Sequence, residues 1–211
     1  LRSLLLESGL LLLCPSISQE SLILHEQKAL RPETLTICFC LHGDQVLMLY
    51  RSNPPNANRW NGLGGKIETG ETPLSNIHRE MMEEAEIDLH QAQELRFAGL
   101  VTWTVLNTHT PSRRGMYAFL AHLAPNFPIE PDRLTPEGLL SWKKLDWVCD
   151  RSNPAVVDNI PYFLPQMLAH PNPQEYYCSY QDGVLQAIAT GTLPDNLSDS
   201  EVFRSGGMVN E

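Results

Sequence analysis

No two cysteines in this chain are spaced as C-x-x-C, and the five present (Cys14, Cys38, Cys40, Cys149, Cys178) follow no regular framework. That argues against a disulfide-stapled scaffold or a cysteine-built metal knuckle, and it fits a reduced, cytoplasmic setting. Positive charge is scarce as well: 15 Lys and Arg face 25 Asp and Glu, a formal net charge of −10. A surface of that sign repels polyanions, so neither a nucleic-acid polymer nor a membrane is an expected partner. Long apolar runs are also missing. The leucine stretches Leu4–Leu6 and Leu10–Leu13 are interrupted by Glu7 and are too short to span a bilayer. There is no internal repeat. With 211 residues and 42% hydrophobic content the chain can bury one core. The organisation expected is a poorly ordered leader over residues 1–32, one domain over 33–190 and a polar tail over 191–211.

What the chain does have is a glycine-dense loop running straight into an acid-rich helix. Arg59-Trp60-Asn61-Gly62-Leu63-Gly64-Gly65-Lys66 is followed by Thr72-Pro73. Thr72 is a good N-cap and Pro73 suits the first helical position. Leu74, Ile77, Met81 and Ala85 then recur at helical spacing as a buried stripe. Glu80, Glu83 and Glu84, at i, i+3 and i+4, present their carboxylates on one face. Like charges so spaced cost roughly 0.2–0.5 kcal/mol per pair, and the C-terminal half of a helix disfavours anions. A solvated acidic face normally carries compensating cations four residues away; here only Arg79 is close. A hard divalent cation resolves the repulsion, because Mg²⁺ takes carboxylate oxygens and bridges to substrate phosphates.

Gly65, five residues, Glu71, seven residues, Arg79-Glu80, apolar Met81, one residue, Glu83-Glu84, one residue, then position 86 and apolar Ile87 resemble the Nudix box. Glu86 departs from the pattern, standing where the family has a glycine that ends the helix. A left-handed residue there costs a non-glycine roughly 1–2 kcal/mol. The resemblance implies an α+β Nudix fold, a mixed β-sheet sandwiched between α-helices. It also implies Mg²⁺ (or Mn²⁺) held by Glu80, Glu83, Glu84 and the Gly64 carbonyl, with Glu84 orienting or deprotonating the attacking water. Gly65, Glu71 and Arg79 take structural roles, the last two pairing loop to helix. Lys66 and Arg51 are either phosphate contacts or ordinary exposed cations. Some family members add an acid from a later loop. No Asp or Glu lies between Arg96 and Glu130, so either Glu84 serves alone or an acid arrives from Glu130 onward.

Strands are expected over 34–41 and 45–51 about a His42-Gly43-Asp44 turn, over 97–106 and 116–123, over 141–148, and in a hairpin over 176–189 turning at Asp182-Gly183. A second helix is expected over 158–169, and residues 124–138, with four prolines, read as an irregular connection. The segments Arg59–Gly62, Asp158–Phe163 and Tyr176–Gln181 resemble the MutT-like branch that hydrolyses oxidised purine nucleoside triphosphates. On that resemblance Asn61, Asp158 and Asn159 read the base. Asn159 stands where such relatives have a second acid and Val156 where they have an aromatic platform, while Asp158 could equally be a helix N-cap. Trp60, Trp103, Tyr117 and Trp142 are candidates for stacking on the base or for the core.

Three readings follow: a pyrophosphohydrolase of nucleoside triphosphates, a hydrolase of ADP-ribose or a dinucleotide, or a nucleotide-binding regulator that does not cleave. The small-molecule nucleotide would be the partner in each, with the chain a monomer or a homodimer.

Overall fold

The computed structural model describes residues 35–105 and 112–193. The expected leader and the polar tail from residue 194 lie outside the described residues.

Alternation along the first strand sets the architecture. In β1 (Thr36–His42) every residue up to Leu41 is buried, so both faces of this strand must be covered. Ile37, Phe39 and Leu41 join one core, and Cys38 and Cys40 join a second on the opposite face. Burial raises the Cys40 thiol to about 12 and the Cys38 thiol well above its ordinary value; both are packing groups rather than nucleophiles. The strand pairs with β2 (Gln45–Arg51) through the expected hairpin and runs parallel to β5 (Ser112–His122). The remaining strands are β3 (Trp60–Asn61), β4 (Glu94–Val105), β6 (Arg133–Thr135), β7 (Gly138–Lys144), β8 (Gln174–Gln181) and β9 (Val184–Gly191). They order as β6-β7-β2-β1-β5-β4-β8-β9, with β3 pairing β2. β4 and β8 are parallel, so the sheet is mixed.

Helix α1 (Pro73–Ala85) covers one face with Ile77 and Met81, and helix α3 (Ile160–Ala169) covers the other with Ile160, Phe163, Leu164 and Met167. This is the α+β sandwich the sequence implied. Four local expectations change. Residues 145–148 form a short helix, α2 (Leu145–Val148), instead of extending a strand; the ladder with β2 ends at Lys144, and the Leu145 N–H turns to the Asp44 carbonyl at 2.9 Å. α3 starts two residues late, so Asn159, not Asp158, is its N-cap residue, and its side chain makes no capping bond. β4 begins at Glu94 and β5 at Ser112, three and four residues earlier than expected. The proline-rich connection contains β6, held antiparallel to β7.

The ends of α1 follow local chemistry. Thr72 Oγ1 accepts the Ser75 N–H at 3.1 Å, and Ser75 Oγ accepts the Thr72 N–H at 2.9 Å, a reciprocal capping box. At the other end Glu86 adopts φ 58°, ψ 28°, the left-handed conformation glycine would take without strain. Glu86→Gly relieves about 1–2 kcal/mol of strain against about 0.5–1 kcal/mol of added unfolded-state entropy. The lost ion pair to Arg133 (2.5 Å) is exposed on the Glu86 side and so contributes little. The expected result is a rise of about 2 °C in Tm by calorimetry; a fall would assign the helix end to the Arg133 contact instead.

Candidate active site

The glycine loop is laced to β1 by backbone bonds: Thr36 N–H to the Gly65 carbonyl (2.9 Å), and Cys38 and Leu63 exchanging bonds at 2.6 and 3.1 Å. This brings the loop flat against the sheet and under α1. A Cβ at Gly65 would sit 2.5 Å from Glu80 Oε1, and one at Gly64, whose φ is +135°, would meet the Thr36 carbonyl at 2.5 Å. Glycine at these positions lets the Glu80 carboxylate lie on the loop backbone.

Arg79 gathers the acids. Its Nε donates to Glu71 Oε1 at 2.7 Å and Nη2 to Glu71 Oε2 at 3.2 Å, a bidentate pair. Nη1 donates to Glu83 Oε2 at 2.9 Å, and Nη2 also reaches Glu80 Oε1 at 2.9 Å and the Lys66 carbonyl at 3.3 Å. Asn76, fully buried, donates from Nδ2 to Glu71 Oε2 and to the Lys66 carbonyl, both at 2.8 Å, and its Oδ1 accepts from Thr36 Oγ1 at 2.6 Å. Asn76 was absent from the residues the sequence singled out; a polar residue on the buried stripe of an amphipathic helix was the available signal.

Glu84 is only 8% exposed, and its Oε2 accepts the Gly64 N–H at 3.0 Å. Loss of water, a hydrogen bond with Glu137 and the nearby charge of Glu80 together raise its proton affinity well above the carboxylate range, against the lowering influence of the Gly64 N–H. Glu80 is also shifted up, chiefly by desolvation, which outweighs the attraction of Arg79; Glu83 and Glu137 add to the rise. Glu80, Glu84 and Glu137 therefore converge. Glu83 stands apart at the exposed margin, its carboxylate on Arg79.

Glu137 is the acid that the sequence left unnamed. It precedes β7 in the turn Thr135-Pro136-Glu137-Gly138, and the pairing of Arg51 with Gly138 carries it to the site. Its carbonyl accepts the Ser52 N–H at 2.9 Å. Arg51 Nη1 lies 4.0 Å from Glu137 Oε2, while its Nε donates to the Pro55 carbonyl at 3.0 Å. Lys66 is exposed.

The residues expected to read a base come from two segments that pack side by side. Trp60 N–H donates to the Ala155 carbonyl at 2.7 Å, Val157 N–H donates to the Trp60 carbonyl at 3.0 Å, and Trp60 bridges Val156 in parallel. Asn61 thus neighbours the approach to Asp158 and Asn159. Asp158 Oδ1 accepts from Tyr180 Oη at 3.1 Å. Asn159 is buried, its Nδ2 lies 3.7 Å from Cys178 Sγ, and its Oδ1 has no hydrogen-bond partner among the described residues. A hollow of about 280 Å³ lined by Arg59, Arg151, Asn153, Asp158 and Tyr162 opens beside Asp158, and no box acid lines it. Trp60 packs on Tyr50 and under the Lys143 ammonium, and Tyr117 packs on Phe97; both belong to the core. Trp103 and Trp142 are half-buried at its edges, Trp142 against His42.

Residues 31–153 match the NUDIX domain family model. The chain belongs to the Nudix family, whose hydrolases act on phosphoric anhydride bonds. It is similar to the oxidized purine nucleoside triphosphate hydrolase of Mus musculus, 26% identical over 113 residues (54% of this chain, 67% of that protein). The protein of the same description from Danio rerio is 27% identical over 106 residues (49% and 63%). Among solved structures, the MutT protein from Bacillus halodurans superposes with a TM-score of 0.60 at 25% identity, covering 74% of this chain and 95% of that one. A bifunctional NMN adenylyltransferase/ADP ribose pyrophosphatase from Francisella tularensis shares the fold at a TM-score of 0.50 and 17% identity, covering 72% and 45%. Among the described residues no helix is long and apolar enough to cross a membrane.

The Arg79 pair, with bonds from Glu68 N–H and Asn76, holds the Glu71 carboxyl down at about 2, from an ordinary 4.5. A depressed pKa contributes stability that is complete above pH 4.5 and lost as pH falls through 2. Glu71→Gln should therefore melt below the unmodified chain at neutral pH, with the gap narrowing between pH 4.5 and 2. A gap independent of pH would remove charge pairing as its source.

Proposed function

We propose that this chain hydrolyses a nucleoside triphosphate to the monophosphate and pyrophosphate, with oxidised purine nucleotides as its substrates and nucleotide-pool sanitation as its role. The observation that carries the hydrolytic part is the convergence of Glu80, Glu84 and Glu137 beside the Gly64 backbone. Three carboxylates short of positive charge are a hard-oxygen donor set, which suits Mg²⁺, or Mn²⁺ in its place. Glu80, Glu84, Glu137 and the Gly64 carbonyl would hold the ion, with Glu83 at its margin. When bound there, a divalent cation neutralises the diphosphate and acidifies a coordinated water.

The protein's own groups do the rest. Glu84 is fixed by the Gly64 N–H and Glu137 arrives from a separate turn, so two acid–base groups would be available to the water that attacks phosphorus. Arg79 keeps Glu80 and Glu83 in place without entering the reaction. The likeness to the two oxidized purine nucleoside triphosphate hydrolases supports the substrate class. Asn61, Asp158 and Asn159 are the groups we assign to the base, and Arg51 and Lys66 those we assign to phosphate. The buried, unmatched Asn159 Oδ1 favours a ligand that brings a donor: leaving such an acceptor unmade costs about 1–3 kcal/mol, and meeting it would select among bases. Asn159 in place of a second acid also favours a second reading, hydrolysis of another nucleoside diphosphate derivative such as ADP-ribose.

Pyrophosphate and phosphate release, measured with Mg²⁺ on ordinary and 8-oxo purine triphosphates, ADP-ribose and dinucleotides, separates these readings. Preference for the oxidised triphosphate is the expected result, and preference for ADP-ribose would transfer the assignment to the second. Turnover of none of them would leave a binding module. Glu84→Gln should lower kcat by roughly 100-fold or more, and Glu137→Gln by about tenfold or more, with Tm little changed. Full Mg²⁺-dependent activity in Glu84→Gln would discard this metal site.

A further inference from the structure

We propose that His78, Asp88 and His90 form a second cation site, selective for a borderline transition ion such as Zn²⁺ over Mg²⁺. Each offers one ligand atom, and the three atoms all lie within 4.8 Å of one another. His78 projects from α1, whereas Asp88 and His90 belong to the short 3-10 turn Leu89–Gln91 and its N-cap. The two imidazoles stack with centroids 4.3 Å apart and planes at 30°. Asp88 Oδ1 accepts the His90 N–H at 3.0 Å, and Oδ2 lies 3.4 Å from Gln91 Nε2, so the turn itself aims the carboxylate.

Two nitrogens and one oxygen are the donors that suit Zn²⁺, Co²⁺ or Ni²⁺, whereas Mg²⁺ prefers an oxygen shell. A tetrahedral ion with bonds of about 2.0–2.1 Å holds its ligand atoms roughly 3.3 Å apart. The trio therefore has to draw in by at most about 1.5 Å from the 4.8 Å bound. Rotation of the exposed His90 ring against the half-buried His78 supplies that movement. Three protein ligands leave a fourth position to water. His78 and Glu80 are two residues apart, about 200° around the helix, so this donor set looks away from the box acids. It spans the left-handed break at Glu86 and would tie the middle of α1 to the turn that follows the helix.

The test uses the full chain with saturating Mg²⁺, so that oxygen sites are filled, and titrates Co²⁺ as a spectroscopic stand-in for Zn²⁺. One equivalent with a nitrogen-ligated visible spectrum, displaced by Zn²⁺, is expected. Zn²⁺ at 100-fold excess over Kd should raise Tm by about 5–10 °C. His90→Ala and Asp88→Asn should each lose the spectrum and the Tm shift while keeping Mg²⁺-dependent turnover. Absence of the spectrum in the unmodified chain, or its persistence in both variants, would overturn the site. Loss of Mg²⁺-dependent turnover in Glu84→Gln alone bears on the acid cluster and leaves this result untouched.

Discussion

The bidentate bond between Arg79 and Glu71 is the constraint on which the rest of the site depends. One guanidinium serves three acids, and it treats them unequally. Glu71 receives two bonds from Arg79 and others from Asn76 and the Glu68 N–H, and its proton affinity falls. Glu80 touches the same cation, yet its proton affinity rises, because burial removes more solvation than Arg79 returns. The loop is thereby locked to the helix by a satisfied carboxylate, while the neighbouring carboxylates remain short of positive charge. A protein folded for stability alone would gain by removing that shortage. Under the proposed function, retaining it would concentrate affinity for a cation at one place.

The sheet supplies rigidity to this arrangement through Asn76. Its amide links Thr36 on β1, the Lys66 carbonyl in the loop and Glu71, so strand, loop and helix share one polar node inside an apolar layer. Each bond contributes only about 1 kcal/mol net. Buried as a set, however, they penalise any movement that breaks one of them by the full cost of an unmet polar group. The glycines complete the same design from the opposite side. Gly64 and Gly65 remove the side chains that would push β1 and Glu80 away from the loop.

Much of this was legible because the informative contacts are local. The helix start at Thr72-Pro73, the left-handed end at Glu86 and the proximity of Arg79 to its acids depend on spacings of a few residues, which fold into place whatever surrounds them. What escaped reading depends on long-range pairing. Glu137 lies far from the box in sequence and reaches Glu84 only through the register that sets Arg51 opposite Gly138. Asp158 looked like a cap because the chain after it is helical, but backbone bonding of Val157 to Trp60 delays the helix and leaves Asp158 to Tyr180. The short α2 escaped for a similar reason: strand propensity around Trp142 carried no sign that the partner strand β2 begins at Gln45 and leaves nothing to pair beyond Lys144.

One helix thus presents two donor sets of different character. Its carboxylates toward the glycine loop are hard oxygen groups on a desolvated floor, and its histidine on another face belongs with a turn-fixed carboxylate and a second imidazole. The chemistry keeps the two separate. Mg²⁺ gains little from imidazole, and a borderline ion that prefers nitrogen gains from the pair. Affinity order alone would let transition ions compete for the acids too, so discrimination has to come from geometry. As the proposed metal site, the acid cluster would draw its ligands from a helix, a loop backbone and a distant turn, the last held in register by the sheet. The His78 trio draws on the middle of the helix and on the turn after it, across one left-handed residue. A change at Glu86 therefore reaches the trio directly and the acid cluster only through the last turn of α1.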